Sequence, residues 1–243
     1  MIDIHNHIIP NVDDGSDSLE LSRQLLVDAI EEGITDVCVT PHFMKHGPYK
    51  TRKKELLSLF EELKNDVADL NINLFLGNEL FIDSELDELL LNNEVCSMND
   101  SDYVLIEFPF ENYKRDYDEH LYNVSLRYRI IIAHPERYRY VRENHDFVDR
   151  WLKEGYYLQC NSIFPYSKES RKVVFDLIEK GKLSLISSDA HNENRPLSMI
   201  DAYRMVTRKF SKETAELLMD INPLCVIQNK TLKRVKPIRK RLI

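Results

Sequence analysis

The chain has 243 residues, 43% hydrophobic and 30% charged, with a formal net charge of -8. That is ordinary globular composition, which excludes disorder, and the acidic balance argues against nucleic-acid binding. No apolar run approaches the roughly 20 residues that span a bilayer. The start, Met1-Ile2-Asp3-Ile4-His5, has neither the basic region nor the apolar core of a secretory signal. Cys38, Cys96, Cys160 and Cys225 form no C-x-x-C pair and read as reduced core residues, so a cytoplasmic location is expected.

Short β-branched runs alternate with amphipathic stretches from the first residues onward. Strands are expected at 2–7, 36–40, 73–77, 103–107, 129–133, 156–160 and 183–187. Helices are expected at 18–32, 52–70, 84–92, 116–128, 144–154, 167–180, 196–209 and 212–220. Ser16 or Asp17 is the expected cap of the first helix, Gly33 its stop, and Pro196 suits a first helical turn. Alternation implies parallel strands with crossover helices. Seven such units suggest an α/β fold of one domain over 1–243, a distorted (β/α)7 TIM-like barrel. An open doubly wound sheet is the runner-up, but the Gly-rich turn expected after its first strand reads His5-Asn6-His7 here. Residues 230–243 carry seven Lys/Arg and no acid. They read as a basic tail, either solvated or in contact with an acidic partner or anionic lipid.

Barrels of this kind place function at the C-terminal ends of strands. Those ends read His5 and His7, Thr40-Pro41-His42, Gly77-Asn78-Glu79, Glu107-Phe108-Pro109, Ala133-His134-Pro135-Glu136-Arg137 and Ser188-Asp189-Ala190-His191. The sixth strand, ending in Cys160-Asn161, lacks a strong ligand. Two-residue spacing turns His5 and His7 to one side of a strand, and Asp189 and His191 likewise. Five of the eight histidines fall at these ends; His46, His120 and His145 read as solvated. Asp14, in Asp13-Asp14-Gly15, adds a carboxylate from the first loop.

So many imidazoles and carboxylates in one mouth call for cations. The donors suit Mn, Fe, Co or Zn, and their number suits two or three ions. Metals about 3.5–4 Å apart can hold a hydroxide and clamp a phosphoryl group. Arg137 and Arg195 are candidate phosphate-binding groups, because guanidinium pairs bidentately with phosphate oxygens. Phe43, Tyr49, Phe108, Phe110, Tyr113, Tyr138 and Phe164 follow strand ends and could edge a shallow mouth.

Together, Ile2-Asp3-Ile4-His5-Asn6-His7, Asp13-Asp14-Gly15, Pro41-His42, Asn78-Glu79, Glu107-Phe108-Pro109, His134-Pro135-Glu136-Arg137 and Asp189-Ala190-His191 resemble the polymerase and histidinol phosphatase (PHP) superfamily. More narrowly they resemble its bacterial manganese-dependent protein-tyrosine phosphatases, encoded with capsule and exopolysaccharide genes. The resemblance implies one metal on His5, His7, Glu79 and Asp189, a second on Glu79, Glu107 and His134, and a third on Asp14, His42 and His191. It implies Arg137 and Arg195 as phosphate ligands. The implied substrate is the tyrosine-phosphorylated C-terminal tail of a membrane-associated bacterial tyrosine kinase, with Mn2+ as cofactor. Alternatives are a small-molecule phosphatase acting on histidinol phosphate, a nucleic-acid phosphodiesterase, and a regulatory domain that binds phosphotyrosine without turnover. A cysteine-dependent tyrosine phosphatase needs Arg six positions after Cys; those positions hold Met44, Asp102, Tyr166 and Thr231.

Overall fold

Nine parallel strands form two sheets in the computed structural model, which describes residues 1–144 and 146–237. The first sheet runs β1 (Ile2–Asp3), β2 (Asp36–Val39), β4 (Asn73–Leu76). The second runs β3 (His42–Phe43), β5 (Glu79–Phe81), β6 (Tyr103–Glu107), β7 (Arg129–Ala133), β8 (Tyr157–Asn161), β9 (Leu185–Ser187). Each of β3 and β5 continues the strand just before it, past Pro41 and past Gly77. Backbone bonds carry pairing across both gaps: Gly77 N donates to Val39 O (2.8 Å) and Glu79 N to Pro41 O (3.2 Å). At the outer edges, Asn6 pairs with Ala190, while Asp189 N donates to His5 O and His7 N to Ala190 O, both at 2.7 Å. The first strand therefore lies beside the last, as a barrel architecture requires.

The helices follow apolar spacing, with departures at the first cap, at Pro196 and past residue 216. Helix α1 (Leu19–Glu31) buries Leu25, Leu26 and Ala29, and Gly33 ends it at φ +86°. Its cap is Ser18, whose hydroxyl accepts from Leu21 N, rather than Ser16 or Asp17. The Ser16 hydroxyl is engaged with Ser18 O and Ser22 instead. The helix expected from Pro196 begins only at Ile200, and Pro196 is not in its first turn. Its N-terminus is held by Glu32, whose carboxylate accepts from Met199 N (3.0 Å) and Ile200 N (3.2 Å). Past 212–216 the chain continues through a π-helical turn (Leu217–Ile221) into an additional helix, Asn222–Ile227.

Alternation along β6 separates two cores. Val104 and Ile106 pack outward against the helices, whereas Tyr103 and Leu105 face the interior with Ile2, Ile4, Ile131 and Leu185. Val226, Ile227 and Leu232 fill the bottom of that interior. Residues 230–237 lie against this floor: Asn222 brackets Lys233 through both its N–H and its carbonyl, and Leu232 and Val235 are buried. Lys230, Lys233, Arg234 and Lys236 are exposed; Arg239, Lys240, Arg241 and His145 lie outside the described residues. Among the described residues, no helix is long and apolar enough to cross a membrane.

Candidate metal centre

Above the interior core, period-two alternation delivers ligands instead of apolar side chains. Tyr103 and Leu105 face inward, so Glu107 does too, at the mouth. His134 and Asp189 end their strands in left-handed backbone, at φ 31° and 55°, an uncommon conformation for residues other than glycine. The loop after the first strand is pressed against it. A Cβ on Gly15 would stand 1.9 Å from His7 O, so only glycine admits this approach. The approach sets Asp13 on His7 and carries Asp14 over the mouth.

The eight side chains singled out by strand position and Asp14 from the first loop all meet there. Glu79 is central: its Oε2 lies 3.3 Å from Nε2 of both His5 and His7 and 3.0 Å from His42 Nδ1, and its Oε1 accepts from His134 Nε2 at 2.8 Å. Asp189 Oδ1 lies 3.4–3.6 Å from His7, His5 and His191. Glu107 lies 3.5 Å from His134 and 3.6 Å from His42. Half-exposed Asp14 stands 3.6 Å from His42 and 3.7 Å from His191. In the mouth, four groups of donors gather closely enough for a cation: His7, Asp14, His42 and His191; His5, His7 and Glu79; His42, Glu79 and Glu107; His5, His134 and Asp189. His5, His7, His42 and Glu79 each belong to two of them.

The donor set fits divalent metal. His7 Nδ1 donates to Asp13 (2.7 Å) and His5 Nδ1 to Gln159 Oε1 (2.8 Å), which leaves each Nε2 free as a ligand. Glu79 Oε2 and His42 Nδ1 are buried without a hydrogen bond among the described residues, and such atoms are costly unless something binds them. Burial pushes the His134 imidazole down to about 4 and that of His191 down to about 3, so both are neutral free bases at pH 7. Burial and the charges of Glu79 and Asp189 push the Glu107 carboxyl well above its ordinary range, a repulsion that a cation relieves. Burial raises Asp13 as well, but its interactions with His7 and His42 outweigh it and hold the carboxyl at about 2.

Both arginines sit at the outer edge of the cluster. Arg137 Nη1 and Arg195 Nη2 donate to the same oxygen, Asp189 Oδ2, at 2.8 and 2.6 Å, and each is about one-third exposed. Asn161 Nδ2 adds a third donor at 2.5 Å. The mouth is a cavity of about 190 Å3 walled by Met44, Tyr49, Phe108 and Phe110. Tyr49 stacks on His42 and Phe110 lies under the Arg137 guanidinium at 4.4 Å. The aromatic edge is narrower than expected: Phe43, Tyr138 and Phe164 are buried in the outer core, and Tyr113 packs against it. The sixth strand is richer than expected. Gln159 and Asn161 face inward at period two, and they hydrogen-bond His5 and Asp189 without being strong metal donors themselves. Of the remaining histidines, His46 is exposed beside Asp83 and Glu85, and His120 is half-buried.

The family profile described as "Capsular polysaccharide synthesis, CpsB/CapC" matches residues 1–228. The chain belongs to the CpsB/CapC family. It is 30% identical to the tyrosine-protein phosphatase YwqE of Bacillus subtilis, over 99% of this chain and 98% of that one. It is 31% identical to the tyrosine-protein phosphatase CpsB of Streptococcus pneumoniae, over 96% and 100%. Among solved structures, one from the crystal structures of YwqE and CpsB, unique metal-dependent tyrosine phosphatases, superposes with a TM-score of 0.91. That match has 29% identity and covers 99% of this CpsB/CapC chain and all of the other. A zinc-bound histidinol phosphate phosphatase from Lactococcus lactis shares the fold at a TM-score of 0.57 and 17% identity, over 86% of this chain and 92% of that one.

Proposed function

We propose that this CpsB/CapC protein is a metal-dependent phosphatase that hydrolyses phosphotyrosine on protein, in capsular polysaccharide synthesis. One observation carries the reading: nine imidazole and carboxylate side chains, all of types that ligate metals, converge beside two guanidinium groups that share a single oxygen of Asp189. Its relatives' activity supports it.

His5, His7, Asp14, His42, Glu79, Glu107, His134, Asp189 and His191 hold two or three divalent ions, with Mn2+ as the working metal. Bound there, the ions supply Lewis acidity and lower the pKa of water. Asp13 and Gln159 hold the ligand tautomers of His7 and His5. Arg137 and Arg195 bind phosphate oxygens, and Asp189 aims them from below. Hydrolysis forms a bond from phosphorus to a water oxygen and breaks the bond to the phenolic oxygen. Inorganic phosphate leaves, and the tyrosine hydroxyl regains a proton. The arginines contribute most where charge accumulates on the phosphoryl oxygens in the transition state.

The substrate in this reading is the phosphorylated C-terminal tail of a membrane-associated tyrosine kinase, met on the cytoplasmic side. The chain acts as a single domain, and the basic stretch 230–243, of which Lys230, Lys233, Arg234 and Lys236 are exposed, docks on the kinase or on anionic lipid. Because Leu232 and Val235 are buried, that docking is tested by Lys233→Glu with Arg234→Glu rather than by deletion. The double variant should lose rate on the intact kinase and keep it on aryl phosphates.

The deciding assay compares p-nitrophenyl phosphate, phosphotyrosine, phosphoserine and histidinol phosphate across a metal series. Phosphotyrosine and aryl phosphate turnover that chelators abolish, and that thiol alkylation spares, is expected. Activity surviving thorough metal stripping, or histidinol phosphate cleaved orders of magnitude faster, would overturn the reading.

A further inference from the structure

A second and larger recess, about 550 Å3, lies beside the mouth. It opens between the turn that follows β8 and the start of the helix Ile200–Lys209, and Ser162, Ile163, Tyr166, Asn194, Pro196 and Asp201 line it. The two cavities are lined by residues adjacent in the chain. Arg195 stands between Asn194 and Pro196, and its own guanidinium lines the mouth. On the other strand, Ser162 directly follows Asn161, whose amide holds Asp189. The recess is thus the cavity next to Arg195 along the chain, on the side toward which a polypeptide held in the mouth would continue.

The surface of the recess differs from that of the mouth in chemistry. Ile163 is 38% exposed and Tyr166 is 75% exposed, apolar area of the kind that marks contact sites. The Tyr166 hydroxyl donates to Asp201 at 2.5 Å, which ties the ring at the edge of the recess. Asp201 is the one charged residue lining it, among serine hydroxyls, Asn194 and Pro196. A negative carboxylate disfavours a second phosphate or an acidic chain. Uncharged or basic residues suit it.

Building on the phosphotyrosine reading above, we infer that this recess holds the polypeptide segment flanking the phosphotyrosine, a neutral or basic stretch. The mouth takes phosphate and ring, whereas the recess takes main chain and neighbouring side chains. Sequence preference among protein substrates is then set here rather than at the metals.

The test uses the full-length metal-loaded protein with three probes: p-nitrophenyl phosphate, a phosphotyrosine peptide flanked by Ala and Ser, and the same peptide flanked by Glu. Tyr166→Ala and Ile163→Ser should each lower kcat/KM on the Ala/Ser peptide by about 5–10-fold, through KM, the scale of a lost interface contact. Both should leave p-nitrophenyl phosphate within about twofold of wild type. Asp201→Asn should narrow the gap between the Glu-flanked and Ala/Ser peptides. Anisotropy binding of the labelled Ala/Ser phosphopeptide is measured in parallel and needs no turnover. If the wild-type protein hydrolyses no phosphotyrosine probe, the activity reading fails; weaker binding by Tyr166→Ala would still support the recess. Unchanged peptide binding and rates in both variants would overturn the inference. So would equal losses on peptide and p-nitrophenyl phosphate, or a change of sedimentation that marks the recess as a contact between copies of the chain.

Discussion

Asp13 holds three groups with two oxygens. Oδ2 accepts from His7 Nδ1 and His42 N, and Oδ1 accepts from Gly15 N. It thereby sets a tautomer and the position of a neighbouring strand at once. Removing such a partner costs metal sites about 10–100-fold in affinity, so Asp13→Ala should bind Mn2+ that much more weakly in a metal titration. Asp13→Asn keeps an acceptor oxygen and should recover part of the loss. The arginines act differently. Arg137→Ala should cut kcat/KM on aryl phosphates by at least about 10²-fold, the scale of one preorganised donor. Arg195 and Asn161 still hold Asp189, so metal content and Tm should stay near wild type. A variant that loses its metals would instead place Arg137 among the supports of the cluster.

At the scale of elements, the loop between the first strand and α1 is the most constrained part of the site. Gly15 touches His7, Ser16 N donates to His7 O at 2.9 Å, and Ser18 caps the helix that follows. Gly15→Ala forces a methyl group against a backbone carbonyl that cannot yield. Overpacking of this kind costs about 1–3 kcal/mol. Thermal unfolding should show the loss, and activity should fall further than stability because Asp13 and Asp14 move with the loop. A surface-loop variant with the same Tm shift but normal turnover separates the two effects. The helix Ile200–Lys209 makes a related point. Glu32, at the end of α1, supplies the cap that Pro196 was expected to prepare, and no local pattern near residue 200 announces a carboxylate from so far upstream.

For the whole molecule, the barrel has a wet end and a dry end. The mouth concentrates donors, and the base is closed by Val226, Ile227 and Leu232. Leu232→Ala removes part of that floor and should cost about 2–5 kcal/mol of stability. Kinetics on aryl phosphate below the new Tm should be unchanged, because Leu232 packs at the floor of the interior core and is not among the donor side chains of the mouth. Metal binding should act in the opposite sense. Ions that bind only the folded chain stabilise it by mass action, so Tm should rise with Mn2+ concentration and fall with chelator. A Tm indifferent to both would mean that the donors are held without cations.

Strand alternation, the donor-bearing strand ends and the paired arginines were all legible in the sequence, because each depends on short periodicities and on residue chemistry. All nine proposed ligands could be named from those alone. The roles of Asp13, Gln159 and Asn161 could not, since an acceptor oxygen becomes a tautomer lock only when another strand brings a histidine to it. The division of 36–43 and 73–81 into two strands each, the Glu32 cap and the burial of Leu232 and Val235 were equally hidden. Each is a contact between segments distant in sequence. Local pattern chooses the element and the face; which faces meet, and which polar group answers which, is decided by the closing of the barrel.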